Sequence, residues 1–249
     1  MDSTWFRRFV PAPESGIPLV CFPHAGGSAS SFLALARTLG GRLDVLAVQY
    51  PGRQDRRREE PYGSISAHAD ALAEALEPLT DEPYALFGHS MGAVLAYETT
   101  RRLTAAGRPG PRRVFVSGRG APSELPNAHD RLGSDAEILA AVRRLGGTAL
   151  DVLDDPELLD MVMPALRADY GALGTYNWDG GAPLGSPVTA ILGDADPVVA
   201  VEEAAAWHDH TTGDFGLEIL PGGHFYLDKH TDDVSEIVTN SLLAAGSTA

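Results

Sequence analysis

The sequence predicts an α/β fold, a mostly parallel sheet covered by helices on both faces. Two observations carry this. Short apolar, β-branched runs recur along the chain, each bounded by Gly, Pro or polar residues, and helix-length segments with apolar residues at three- and four-residue spacing separate most of them. Runs that are apolar throughout, rather than alternating, belong to strands buried on both faces, and a helix between successive strands is what a parallel connection requires. At 249 residues and 44% hydrophobic content, the chain is expected to form a single domain, residues 1–249, with one substantial core.

The predicted strands are Ile17–Phe22, Leu43–Val48, Tyr84–Phe87, Arg113–Ser117, Val188–Leu192 and Leu217–Leu220. Helical spacing covers Ser31–Leu39, Ala67–Leu79, Gly92–Ala106, Glu202–His210 and Val234–Ala244. The alternation breaks over residues 120–187, which contain no convincing strand. Within that stretch Ser134-Asp-Ala-Glu137 reads as a capping box that opens a helix through Leu145, with Gly146-Gly147 as its stop. A second pattern begins near Pro156, places Leu158, Val162, Leu166 and Leu173 along one stripe, and carries Pro164 as a kink or break. Residues 120–187 are therefore expected to be a helical lid inserted over the carboxyl edge of the sheet.

Composition narrows the function. Lys and Arg total 19 against 34 Asp and Glu, and the net charge of −15 disfavours nucleic acid and anionic membranes as partners. No apolar run reaches the roughly eighteen residues that span a bilayer, and the amino terminus lacks a signal-peptide core, so a soluble, cytoplasmic protein is expected. The one cysteine, Cys21, lies inside the first strong strand and reads as a core residue, which leaves no intrachain disulfide and no Cys-based zinc cluster. The basic run Arg53-Gln-Asp-Arg56-Arg57-Arg58 has two readings: a solvated loop face, or a positive spot that receives a phosphate from a substrate carrier.

The stretch that carries chemistry is Tyr84-Ala-Leu-Phe-Gly88-His89-Ser90-Met91-Gly92, a strand, then Gly-x-Ser-x-Gly, then a helix. A serine on a sharp strand-to-helix turn needs neighbours without side chains two positions away on either side, and Gly88 and Gly92 meet that need. This is the nucleophile elbow of the α/β-hydrolase fold, whose partners follow in the order Ser, Asp, His. Val188–Leu192 runs into Gly193-Asp194-Ala195-Asp196, which offers Asp196 as the orienting carboxylate and Asp194 as the fallback. Leu217–Leu220 runs into Pro221-Gly-Gly-His224, the imidazole expected to act as general base. Of the other histidines, His208, His210 and His230 are expected at the surface, and His89 to pack at the elbow. The oxyanion donors are expected to be the N–H groups of Met91 and of Ala25, which lies in the loop Phe22-Pro-His-Ala-Gly-Gly27 after the first strong strand. Gly-x-Gly-x-x-Gly and Gly-x-x-x-x-Gly-Lys are both absent, which argues against a phosphate-binding loop there.

With these residues in place, the chain resembles the type II, or external, thioesterases that accompany polyketide synthases and nonribosomal peptide synthetases. The resemblance rests on Phe22-Pro-His-Ala-Gly-Gly27, Gln49-Tyr-Pro-Gly-Arg53, Phe87-Gly-His-Ser-Met-Gly92, Ser117-Gly-Arg119, Gly193-Asp-Ala-Asp-Pro197 and Gly222-Gly-His-Phe225, in that order along nearly the whole chain. It implies attack by Ser90 on a thioester held on the phosphopantetheine arm of an acyl or peptidyl carrier protein, with small acyl thioesters as further substrates and no metal or organic cofactor. The implied task is editing, the release of stalled or misprimed acyl units. Medium-chain fatty acyl thioesterases and cyclising terminal domains share such motifs, and the free-standing length with no carrier motif favours the editing type. A general carboxylesterase and a non-catalytic binding module are the remaining alternatives. Were the acyl-serine to meet an alcohol or amine instead of water, the protein would be a transferase or cyclase.

Overall fold

The structure, a computed structural model, describes residues 4–14, 16–126, 128–146 and 155–243. Seven strands form one sheet in the order β1-β3-β2-β4-β5-β6-β7: β1 (Phe6–Arg7), β2 (Ile17–Phe22), β3 (Leu43–Val48), β4 (Ala85–His89), β5 (Val114–Ser117), β6 (Val188–Gly193) and β7 (Phe215–Leu220). All neighbours are parallel except β1, which pairs antiparallel with β3 through Phe6 opposite Val48. The sequence reading passed over β1 because two residues are too short to show a period.

The unbroken apolar runs have the expected cause. Successive side chains of a strand point to opposite faces, and here both faces are covered. Val20, Phe22, Leu46, Val48, Leu86, Val114 and Val116 pack with residues of α2 (Ile65–Leu76) and α3 (Met91–Ala105). Leu19, Cys21, Val45, Ala47, Phe87 and Phe115 pack on the other face with α1 (Leu33–Leu39) and a carboxyl-terminal helix over Thr231–Leu243. Cys21 is fully buried, and burial pushes its thiol pKa up.

Between β5 and β6 lie α4 (Asp135–Leu145) and α5 (Pro156–Thr175). Ser134 caps α4, its Oγ accepting the Glu137 N–H, while Glu137 Oε2 accepts from Ser134 Oγ and from the Gly133 N–H. Gly146 has the left-handed φ of 75° suited to a helix stop, and Gly147 lies outside the described residues. Pro164 does not divide α5, which continues through it to Thr175. Ile138 of α4 packs with Met163, Leu166 and Tyr170 of α5, and Ala25 lies against this small cluster. The region predicted as one helix from Glu202 is a short α6 (Val201–Ala205) followed by a 3-10 turn over Ala206–His210, so Thr231–Leu243 becomes α7. Because β2 and β4 to β7 run parallel, their carboxyl ends share one edge, and the loops that leave them converge there.

Candidate active site

Ser90 follows β4 directly and adopts φ 56° and ψ −117°, a strained backbone for a residue with a Cβ. Two glycines make room for it. A Cβ on Gly92 would lie 1.9 Å from the carbonyl oxygen of Phe22, and one on Gly88 would lie 2.1 Å from that of Gly92. The Ser90 N–H donates to the Ser117 carbonyl at 2.7 Å, which ties the turn to the end of β5. α3 begins at Met91; the Ala93 N–H donates to the Ser90 carbonyl at 2.9 Å, and the Met91 N–H, first of the helix, lies beside the serine with no carbonyl one turn earlier to accept it.

The loops after β6 and β7 are laced together. Asp194 N–H donates to the Leu220 carbonyl at 2.8 Å and Ala195 N–H to the Gly222 carbonyl at 2.9 Å. A Cβ at Gly193 would lie within 2.4 Å of the Gly222 and Gly223 oxygens, so only glycine lets the two loops approach this closely. The lacing brings Asp196 Oδ2 to 2.8 Å from His224 Nδ1, with the Asp196 carboxylate fully buried and His224 2% exposed. Asp196 Oδ1 accepts the Val198 N–H at 2.9 Å. Asp194 is exposed and turned away, accepting the Gly222 N–H at 2.8 Å. His224 and Ser90 line one narrow cleft, with Ala25, Arg119, Tyr170 and Leu173 among its other walls.

In the loop after β2, the Gly26 N–H donates to Asp169 at 2.7 Å and the Gly27 N–H to the His24 carbonyl at 2.9 Å. Among the described residues, nothing accepts the Ala25 N–H. Two further imidazoles surround His224. His89 lies 5.2 Å from it, ring to ring, and 5.9 Å from His24. Desolvation, reinforced by the neighbouring His224, holds His24 down to about 3 and His89 well below the usual histidine range. Both rings therefore stay neutral across the working range. His89 packs at the elbow, its Nδ1 2.8 Å from Ser117 Oγ, which lies 2.6 Å from the Tyr226 hydroxyl.

A serine on an elbow, an imidazole on the same cleft and a buried carboxylate behind that imidazole are the parts of a nucleophilic hydrolase. Comparison with known proteins names the kind. The family model for the thioesterase domain matches residues 17–242. The chain belongs to the thioesterase family. It is 45% identical over 240 residues to Thioesterase PikA5 of Streptomyces venezuelae, covering 96% of this chain and 85% of that one. It is also 45% identical to a probable cadicidin biosynthesis thioesterase of Streptomyces griseus, over 96% of this chain, and spans 66% of that relative's length. Among solved structures it resembles the type II thioesterase BorB from the borrelidin biosynthetic cluster, with a TM-score of 0.89, 45% identity and coverage of 97% of this chain and 99% of that one.

The arginine run of this thioesterase requires correction. Arg53 and Arg56, both 7% exposed, are not poised for a phosphate. Arg53 grips Asp169 through two bonds, Nη1 to Oδ2 at 2.9 Å and Nη2 to Oδ1 at 2.8 Å, and Nη1 also donates to the Gly27 carbonyl at 3.1 Å. Arg56 pairs with Glu59, donates to the Gln49 carbonyl at 2.8 Å, and stacks over Trp5. Of the four arginines in the run, only Arg57 and Arg58 are exposed. His210 also departs from expectation: it is 2% exposed, not at the surface, and bonds Tyr97 OH and Ser123 Oγ. His208 is exposed beside Asp209, and His230 is half-buried beside Asp233. Among the described residues, no helix is long and apolar enough to cross a membrane, and no group of three or more His, Cys, Asp or Glu side chains could hold a metal ion.

Residues that sequence reasoning missed gather around the cleft. Arg119 and Asp130 form a buried two-bond pair at 2.9 and 2.8 Å on its wall, and Trp207 Nε1 donates to the Arg119 carbonyl. Asp169 was passed over as well. A signal existed for it: Val162, Leu166, Asp169 and Leu173 share one helical stripe, and a lone carboxylate on an apolar stripe needs a buried partner.

Proposed function

We propose that this thioesterase releases acyl groups from the phosphopantetheine arm of an acyl or peptidyl carrier protein, clearing stalled or misprimed units from a polyketide or nonribosomal peptide assembly line. The observation that carries the chemistry is the cleft shared by Ser90 and His224, with Asp196 2.8 Å behind the imidazole. The carrier-bound substrate class is supported by 45% identity, over nearly the full length of both chains, to a type II thioesterase of a biosynthetic cluster.

In this reading His224 Nε2 takes the Ser90 proton as Oγ attacks the thioester carbonyl, and Asp196 stabilises the imidazolium. The N–H groups of Ala25 and Met91 hold the oxyanion. Collapse breaks the carbon–sulfur bond, and the departing thiolate takes the proton from His224. Water then attacks the acyl-Ser90 ester, giving its proton to His224, which returns it to Oγ as the acid leaves. α4 and α5 act as the lid of residues 120–187, with Ala141, Leu145, Tyr170 and Leu173 walling the acyl chamber and limiting access of bulk water. Burial pushes the Tyr170 phenol up to about 12, so it meets the acyl group as a neutral wall. Arg57 and Arg58, exposed in the turn after Arg56, receive the phosphate of the arm.

The test is a panel of one acyl group presented on a carrier protein, on coenzyme A, as an N-acetylcysteamine thioester and as an oxygen ester, with Ser90→Ala as the blank. The carrier-bound form is expected to give the highest kcat/KM, and equal or faster cleavage of the oxygen ester would favour the carboxylesterase reading. Arg57→Ala with Arg58→Ala should raise KM about two- to fivefold on the two phosphate-bearing thioesters, more at low salt. An equal rise on the phosphate-free thioester would remove these arginines from docking.

A further inference from the structure

We propose that Asp169 is a positioning residue for the oxyanion site: this one buried carboxylate of α5 fixes the loop after β2, and so makes seating of the lid and completion of the oxyanion hole a single event. The inference rests on the reading of Ala25 as an oxyanion donor. Asp169 is 2% exposed and receives three N–H donors, two from Arg53 and one from Gly26. The bond from Gly26 fixes the peptide plane after Ala25, and the adjacent Gly27 N–H holds the His24 carbonyl at 2.9 Å, in the plane that carries the Ala25 N–H. Arg53, gripped by the same carboxylate, holds the next carbonyl, that of Gly27. Further contacts of the loop come from the sheet side: Tyr50 OH donates to the Pro23 carbonyl at 3.1 Å, and Gln49 Oε1 accepts the Ala29 N–H at 3.0 Å.

α5 touches the loop a second time one turn earlier. A Cβ on Gly26 would lie 2.5 Å from Leu166 Cδ2, so Leu166 and Asp169, three residues apart on one helix face, grip the same residue. Gly26 has φ 74°, a conformation that glycine leaves readily for others. Without the carboxylate, nothing else among the described residues accepts its N–H, and the Gly26–Gly27 turn, which sets the Ala25 N–H through the His24 carbonyl, loses its tie to α5. Withdrawal of α5 removes that acceptor and Arg53's partner together, and loosens the donor just as the acyl chamber opens.

The experiment measures kcat and KM on an N-acetylcysteamine thioester, and the rate at which a fluorophosphonate labels Ser90, for Asp169→Asn and for Arg53→Met combined with Asp169→Leu. Rates are expressed per Ser90 titrated by the phosphonate, so a partly unfolded preparation still reports on its folded molecules. Asp169→Asn should lower kcat about 10²-fold, the loss typical of one misplaced oxyanion donor, with KM within about threefold and labelling slowed alongside kcat. The double variant leaves no unpaired buried charge and is expected to melt near the wild type, yet to remain at least about tenfold slow in kcat and in labelling. Recovery of wild-type kcat and labelling in the double variant would show that the pair serves folding alone and overturn the proposal. So would a single variant whose loss lies in KM. Neither readout contains a carrier or a phosphate, so failure of the carrier reading would leave both unchanged.

Discussion

Asp196 and Asp194 stand two residues apart on one loop, and their exchange for Asn separates orientation of the base from mere loop chemistry. The Asp196 carboxylate is fully buried and serves two donors at once, His224 Nδ1–H through Oδ2 and the Val198 N–H through Oδ1. An asparagine has one acceptor oxygen. If that oxygen keeps Val198, the amide NH₂ meets Nδ1 as a donor and drives the imidazole proton onto Nε2, the tautomer that cannot take a proton from Ser90. If it faces His224 instead, two donors collide at Val198. The first arrangement disables the base and the second carries a buried donor–donor clash and lacks the charge that stabilises the imidazolium; the matching change in a well-studied serine hydrolase costs about 10⁴-fold in kcat, which corresponds to about 5.4 kcal/mol. Asp194 is exposed and accepts a single N–H, from Gly222, which an asparagine oxygen accepts equally well. Asp194→Asn should therefore cost less than about tenfold. Thiol release from an acyl thioester, followed with a chromogenic disulfide, reads both variants, and a melting curve checks that each is folded. A folded Asp196→Asn enzyme with more than a tenth of wild-type kcat, or a reversed ranking of the two, would refute this assignment of the triad.

Two further predictions concern stability. Ala at Gly92 forces a Cβ to 1.9 Å from the Phe22 backbone, whereas Ala at Gly171, exposed within α5, meets nothing within 4 Å. Gly92→Ala should lose about 3 kcal/mol or more and melt roughly 6–12 °C lower, while Gly171→Ala should gain up to about 1 kcal/mol; equal melting points would show that the elbow is not close-packed. His68 is 2% exposed among Tyr50, Tyr62 and Trp5, and desolvation, then the charges of Arg53 and Arg56, push its pKa down to about 3. The unfolded chain binds a proton there below about pH 6.5 and the native one does not until about 3, so acidification through that window destabilises the fold, by about 2 kcal/mol at pH 5 from this residue alone. Urea unfolding at about pH 7.5 and about pH 5 should show that increment, and His68→Leu should remove it from the pH dependence; an unchanged dependence in the variant would exclude His68 as its source.

What the sequence makes legible follows from where the information is stored. The strands show as unbroken apolar runs because both sheet faces are covered, and Ser90, Asp196 and His224 each lie just beyond a run, where a parallel sheet must gather its loops. Gly88, Gly92 and Gly193 are legible for a related reason, since each marks a place where backbone approaches backbone too closely for a Cβ. The arginine run is the opposite case. Arg53 and Arg56 look like Arg57 and Arg58 in sequence, and only the chain's return with Asp169, 116 residues later, makes Arg53 an interior residue. Partners that distant leave no local period, and a basic cluster reads as surface by default.

Two buried ion pairs suggest how the proposed lid keeps its register. Two buried Arg–Asp forks join loops at the sheet's carboxyl edge to residues of the 120–187 segment: Arg53 to Asp169, and Arg119 to Asp130. Apolar residues of similar volume would serve stability equally well or better, since desolvating two charges offsets most of their attraction. What a fork adds is geometry. A guanidinium meets a carboxylate through two parallel bonds in one plane, so each pair admits a single arrangement where an apolar contact would tolerate sliding by a turn. Tyr170 and Leu173 reach the cleft from the same helix as Asp169, and Arg119 lies on the cleft wall itself. A slip of α5 along its axis would thus be felt at once in the cleft and at Gly26, and the Arg53–Asp169 fork opposes it, while the Arg119–Asp130 fork fixes the chain ahead of α4 against the cleft wall.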